Sequence, residues 1–414
     1  MKKQSARTLT IHFTLIQFLY FFGFAAIFTY AAVFLRDRGF NGQQIGLTLA
    51  LSNVATLFIQ PAVANWVDRS VRFQLHQIAA ILATALLLAE IILIFLPSIF
   101  LAVLIAFVLV QMLFFVLYTL LTSLSLKMIN RGLAVNFGLA RGLGSGAFAI
   151  GSLVTGLAIE RLGVVVSPVA AVLTTAVMIG LVLTFYIRAS VDDVTVENLG
   201  LSADQLAATS KTGLTDAKRE TVGQFFRRYP QLPFLMLGFL FIFANHSIYA
   251  SYTINIVEYL GGSSQTLGEV AAVAGMLEIP VMAFFYLIVK KIPARSLLIL
   301  SAVFFALKAL ATWLAPNISV LFLSQVLQMG AMALYVPASV FYINFILADR
   351  DLIKGQAYVA MATTLGGISG NVLGGILYDL TDVPTALLFA FGASVLGILF
   401  VGLGVCRSGC RSKI

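Results

Sequence analysis

The chain has 414 residues, of which 60% are hydrophobic and only 10% charged, with a mean hydropathy of +1.00. An ordinary soluble domain carries roughly a quarter charged residues, so there is too little polar side chain here to cover a water-facing surface, and a soluble enzyme or nucleic-acid-binding protein is excluded despite the net charge of +9. Two cysteines, Cys406 and Cys410, and three histidines leave no disulfide framework, no metal centre and no cofactor to be expected.

Apolar runs of the length needed to cross a bilayer, about 20 residues, recur between short breaks of charge, Pro, Gly or Asn. Twelve are predicted as helices, at 10–35, 43–66, 74–96, 99–126, 136–159, 165–188, 232–257, 265–289, 296–315, 318–347, 355–378 and 384–405. The first is too long and too aromatic for a signal peptide and lacks a small-residue cleavage site, so it reads as a retained helix. A spanning barrel needs alternating segments of about ten residues, which these continuous runs are not. The expected fold class is therefore an all-α membrane protein of twelve transmembrane helices.

Of the 26 Lys and Arg, 21 fall in the N-terminus, the even-numbered loops and the C-terminus. By the positive-inside rule both termini are expected in the cytoplasm, of a bacterial inner membrane. Reporter fusions at residue 210 and at the C-terminus should then report cytoplasm, and one in the 259–264 loop the opposite face. A non-cytoplasmic signal from residue 210 would break the twelve-helix reading.

Residues 189–231 form the one long polar stretch and divide the chain into an N-terminal bundle, 1–188, a cytoplasmic linker, a C-terminal bundle, 232–405, and a cytoplasmic tail, 406–414. A repeat supports this division. Helices 2 and 8 align from Gly46 and Gly268. Helices 5 and 11 share a glycine rhythm, with Gly142, Gly146, Gly151 and Gly156 in one and Gly366, Gly370 and Gly374 in the other. Small residues four apart make a flat stripe on which helices approach closely, as expected of a transporter made of two parallel repeats.

The loop after helix 2 reads NWVDRSVRF, which resembles a worn G-x-x-x-D-R-x-G-R-R signature of the major facilitator superfamily, keeping Asp68, Arg69 and Arg72 and losing the glycines. The resemblance covers essentially the whole chain and implies two pseudo-symmetric six-helix bundles. A closer resemblance is to the lactose-permease-like branch, with sugar efflux transporters and phenylpropionate-type permeases. NFGLARGLGS in helix 5 is similar to that permease's F-x-F-G-R-A-R-x-F-G stretch and places Arg141 at its sugar-binding arginine. GMLEIPVMAFF in helix 8 resembles the G-L-E-I-P-A-M stretch of sugar efflux transporters and places Glu278 at a sugar-contacting glutamate, while FALKAL sets Lys308 near the branch's helix-9 arginine. In helix 10, QVLQMGAM puts Gln328 and Ala331 where the permease has a histidine and its proton-holding glutamate, so its proton route does not carry over.

The residues reach a similar set on their own. An ionised group at the bilayer centre costs roughly 2.5–3.5 kcal/mol on insertion scales, which singles out Glu90, Arg141, His246, Glu278 and Lys308. Arg141 offers a planar fork of donors for hydroxyls or a carboxylate and keeps its charge; the competing reading is that it snorkels to the headgroups. Glu278 suits either a hydroxyl acceptor or a proton site, against a structural pair with Lys308. His246 can titrate or simply hydrogen-bond within helix 7, and Glu90 can be a buried, protonated acid. Tyr20, Tyr30, Tyr249, Tyr252, Tyr335 and Tyr342 sit in helices 1, 7 and 10, which line the cavity in the resembled fold. Asn245, Asn255, Gln325, Gln328 and Asn371 could supply directed polar contacts, or pack helices.

Together these features point to a monomeric secondary transporter of a sugar or oligosaccharide, driven by protons and working by alternating access. Arg141 and Glu278 would hold the substrate, with Glu278, Lys308, His246 and Glu90 the coupling candidates. No Walker A, zinc-protease or serine-hydrolase pattern occurs, so neither ATP hydrolysis nor catalysis is expected. Helix 5 lacks the antiporter-type proline, which favours symport. The alternatives are an exporter of sugars or small organic molecules, a permease for nucleosides or aromatic acids, and, from another class, a channel or membrane sensor.

Overall fold

The computed structural model describes residues 2–70, 73–130, 137–193, 222–348 and 351–409, and their side chains apart from those of 2–10, 68–69, 125–130, 137–142, 185–193, 353 and 408–409. Among these residues the chain is helical and contains no strand. Twelve helices are long and apolar enough to cross a membrane. They are span 1 (Ile11–Phe28), span 2 (Gly42–Val67), span 3 (Leu75–Phe95), span 4 (Phe100–Leu124), span 5 (Leu143–Leu162) and span 6 (Val166–Thr184), followed by span 7 (Leu232–Ser251), span 8 (Ser264–Lys291), span 9 (Ala294–Trp313), span 10 (Ile318–Ile346), span 11 (Lys354–Leu380) and span 12 (Val383–Arg407). A helix satisfies its own backbone groups, the condition for crossing hydrocarbon.

The polar caps fall between the spans. Asn41 accepts from Gln44 N at 2.8 Å to open span 2, Asn317 accepts from Val320 N at 3.0 Å to open span 10, and Asp382 accepts from Thr385 N at 3.0 Å to open span 12. The Thr385 side chain and amide hold the Asp382 carboxyl below its usual range.

The two halves repeat one packing scheme. Span 1 packs on spans 5 and 6, and span 3 on spans 4 and 6; span 7 packs on spans 11 and 12, and span 9 on spans 10 and 12. Between the halves, span 2 lies along span 11 and span 5 along span 8. One apolar core draws on residues 13–182 with Tyr252, Ile254 and Leu267 added, and a second lies wholly within 225–405. The glycine rhythm sets the helix approach. A Cβ on Gly366 or Gly370 would meet the Leu240 or Ala244 carbonyl of span 7 at 2.4 or 2.3 Å, so any side chain there would push spans 7 and 11 apart.

Three runs that read as continuous helices are broken. The first ends at Phe28 and resumes as Ala31–Asp37, turning at Tyr30, whose hydroxyl reaches the Ser152 carbonyl. The seventh breaks at Tyr252 before Thr253–Tyr259. The tenth tightens into a 3-10 turn over Gln325–Met329 and restarts at Met332. Each break falls on a few polar residues inside a run that stays apolar overall, so the hydropathy of the run does not reveal it.

Candidate functional site

A cavity of about 570 Å³ lies between the halves, lined by spans 1, 2, 4 and 5 on one side and 7, 8, 9, 10 and 11 on the other. That volume suits one small solute. Its two walls differ in chemistry.

The wall from the second half is polar. Span 8 brings Glu278, two residues before Pro280, whose missing N–H leaves the helix without one backbone bond there. Span 9 brings Lys308, only 5% exposed, and the 3-10 turn of span 10 brings Gln325 and Gln328. Lys308 Nζ donates to Gln328 Oε1 at 2.6 Å, and Gln328 Nε2 donates to Glu278 Oε1 at 2.7 Å. An ammonium has donors only, so it orients the amide with its oxygen toward Lys308 and its NH2 toward the carboxylate. Gln328 thus joins cation to anion in a directed chain. Lys308 Nζ also lies 4.3 Å from the centre of the Tyr249 ring, a cation–π contact. The Tyr249 hydroxyl in turn accepts from Gln325 Nε2 at 2.8 Å, and the same NH2 reaches the Leu321 carbonyl at 3.1 Å. His246 completes this wall, edge-on to Phe243 and Phe305 at 5.9 and 6.0 Å between ring centres.

The facing wall is aromatic. Phe21, Phe24, Phe28, Phe115 and Phe148 line it, with Phe24 and Phe28 stacked at 3.8 Å and Phe115 edge-on to Phe28 at 5.0 Å. Asn53, Gln111 and Ser145 interrupt it. Such a cavity can stack a flat ring on one side and hydrogen-bond hydroxyls on the other. Among the described residues, no group of three or more His, Cys, Asp and Glu is placed to hold a metal.

Of the residues singled out by sequence, Glu278, Lys308, His246, Tyr249, Gln325, Gln328 and Asn371 meet at this cavity. Asn371 accepts from Ser251 Oγ at 2.7 Å. Tyr20 stands behind the aromatic wall, stacked on Phe24 at 6.0 Å, and donates to the Phe114 carbonyl. Asn245 is buried within span 7, off the lining, its Oδ1 making no hydrogen bond among the described residues. Glu90 is fully buried between spans 3 and 6, where Thr175 donates to it at 3.2 Å. Tyr30 and Tyr252 lie at the end of the bundle remote from the termini. The side chains of Arg141, Asp68 and Arg69, and Arg72 as a whole, lie outside the described residues. The phenylalanine wall was not singled out by sequence, since 34 phenylalanines leave no position distinct; Gln111 and Asn53, uncharged and mid-helix, carry no signal either.

Residues 11–390 match the MFS_1 like family. The chain belongs to that family. No curated protein matches this MFS_1 like chain in sequence, but solved structures do in fold. A mutant of the nucleoside transporter NupG superposes with a TM-score of 0.78 at 15% identity, covering 95% of this chain and 99% of that one. An auto-inhibited peptide transporter of the POT family superposes with a TM-score of 0.69 at 10% identity, covering 98% of each. The MFS_1 like chain is thus an integral membrane transporter of the major facilitator type, with twelve helices in two pseudo-symmetric bundles.

Proposed function

We propose that the protein is a proton-coupled secondary transporter of a nucleoside-like glycoside. Residues 1–188 and 232–405 are the two rocking units, 189–231 the tether between them, and 406–414 a cytoplasmic tail. The observation that carries the substrate class is the two-walled cavity. A nucleoside has a flat base and a polyhydroxylated ribose. The five phenylalanines offer the base more stacking area than the apolar face of a sugar ring can use, while Glu278, Gln328 and Lys308 offer the ribose acceptors and donors. The superposition on NupG, a nucleoside transporter, is in keeping with this reading.

A sugar or oligosaccharide is the second reading, favoured by the position of Glu278 and Lys308 together on one wall, at the places where sugar permeases resemble this chain. In either case Glu278 is the proposed proton carrier, because it is the cavity carboxylate at the end of the Lys308–Gln328 chain.

Ligand stabilisation of the purified protein separates the two. Binding to the folded state alone adds about 2.7 kcal/mol at a hundred times Kd, so uridine or adenosine should raise Tm by several degrees, and ribose or uracil alone should not. Stabilisation by lactose or sucrose with no response to nucleosides would replace the first reading with the second.

A further inference from the structure

Tyr30 and Tyr252, which stand off the cavity, are placed alike. Tyr252, at the break in span 7, bonds the Asn371 carbonyl of span 11 at 3.0 Å and the Gly42 carbonyl at the start of span 2 at 3.2 Å. Its hydroxyl fills the crossing of spans 2 and 11, where a Cβ on Gly46 or Gly375 would meet it at 2.7 or 2.8 Å. Tyr30, at the break after span 1, donates to the Ser152 carbonyl of span 5 at 2.5 Å. Its hydroxyl fills the crossing of spans 5 and 8, where a Cβ on Gly156 or Gly268 would meet it at 2.4 or 2.3 Å.

One turn beyond each tyrosine, a carboxylate crosses to the other half. Asp379 of span 11 accepts from Gly42 N and Gln43 N of span 2, both at 2.7 Å. Glu160 of span 5 accepts from Gln265 N of span 8 at 3.4 Å. The registers coincide. Ser152, Gly156 and Glu160 are spaced in fours, as are Asn371, Gly375 and Asp379; Gln43 precedes Gly46 by three residues, as Gln265 precedes Gly268. A contact set that recurs at the same register in both repeats is a feature of the repeat and not an accident of one helix pair.

We propose that these are twin latches, each a tyrosine, a glycine crossing and a carboxylate, which hold the end remote from the termini shut and set the bias between the two access states. Each carboxylate sits on the N-terminus of a helix from the opposite half, where the helix dipole and unpaired N–H groups favour a negative charge. Rocking the halves apart at this end strips both carboxylates of their donors in one motion. The two are unequal: Asp379 takes two short bonds and Glu160 one long one, so the span 2–11 latch is the stronger. The neighbouring Arg36–Glu258 pair, 2.6 Å long, joins the same halves but is 40% and 48% exposed and adds little.

The proposal rests on alternating access but not on the substrate assigned above. It is tested on the full chain in lipid nanodiscs, with Cys406 and Cys410 replaced by serine and spin labels at Ile99→Cys and Leu314→Cys, two exposed positions at the latched end, one in each half. The expected result is a single distance population in the parent, which lengthens as this end opens. Asp379→Asn should raise the ratio of open to closed populations about tenfold, as loss of charge-assisted hydrogen bonds implies. Glu160→Gln should raise it less, and the double variant most. Asp379→Glu should restore much of the parent distribution. Tyr252→Phe keeps the ring and removes only the hydroxyl; it should shift the ratio in the same direction, and it stands in if Asp379→Asn does not fold. Gly46→Trp, which has no room beside the Asn371 carbonyl, is the reference for an opened face. Parent-like distances in the latch variants, with an opened face in Gly46→Trp, would overturn the latches and leave alternating access standing. A face that stays closed in Gly46→Trp as well would overturn both.

Discussion

Glu278→Gln is expected to abolish gradient-driven accumulation of substrate while leaving exchange across the membrane measurable. Gln328 Nε2 donates to Glu278 Oε1 at 2.7 Å, and an amide oxygen at the same place also accepts that bond. The substitution therefore keeps the Lys308–Gln328 chain and the shape of the cavity, and removes the negative charge together with the capacity to gain and lose a proton. A carrier so altered still binds substrate and rocks, because a neutral amide mimics the protonated acid. It no longer couples the rocking to a proton, so the concentration ratio it sustains falls to about one. The measurement is uptake into proteoliposomes with and without an imposed pH gradient, alongside counterflow of labelled substrate. Loss of both would make Glu278 a ligand contact only. Full accumulation by Glu278→Gln would place the proton elsewhere, on His246 or on Glu90, which is buried beside Thr175 and away from the cavity.

What was legible in the chain follows from how each feature is encoded. The twelve spans, the six-plus-six repeat and the membrane setting are written in composition, because a bilayer demands long apolar runs and water-facing loops tolerate charge. Glu278 and Lys308 were legible for the same reason, since charge within an apolar run stands out. The amide between them was visible only as a polar residue. That Gln328 bridges them depends on the 3-10 turn at Gln325–Met329, and no residue type announces that turn. Tyr30 and Tyr252 read as cavity tyrosines because helices 1 and 7 line the cavity in the resembled fold. The chain breaks at both positions set their hydroxyls on helix carbonyls at the far end instead. Glu160 and Asp379 carry no signal in the sequence, because a carboxylate at a helix end looks like ordinary interfacial charge until the helix it faces is known.

Lys308→Met is expected to destabilise the protein strongly, and Glu278→Gln is expected to rescue it. Lys308 is 5% exposed, with its ammonium on Gln328 Oε1 at 2.6 Å and over the Tyr249 ring. Methionine of similar length fills the space but donates nothing. It leaves the Gln328 oxygen without its donor, at about 1–3 kcal/mol for a buried polar group, and leaves Glu278 without the cation at the other end of the chain. Removing one of two opposed charges in a low-dielectric site is costly, whereas removing both is often neutral. Adding Glu278→Gln to Lys308→Met takes away the carboxylate that the lysine faced through Gln328 and lets the two amides pair, so the double variant should recover most of the loss. Thermal unfolding of the four proteins in one detergent gives the cycle. A coupling of about 2 kcal/mol or more is within the range for residues in one network and would show that Lys308, Gln328 and Glu278 act as a unit. Additive effects, with Lys308→Met costing under about 1 kcal/mol, would show that the lysine is held by the Tyr249 ring and the amide alone.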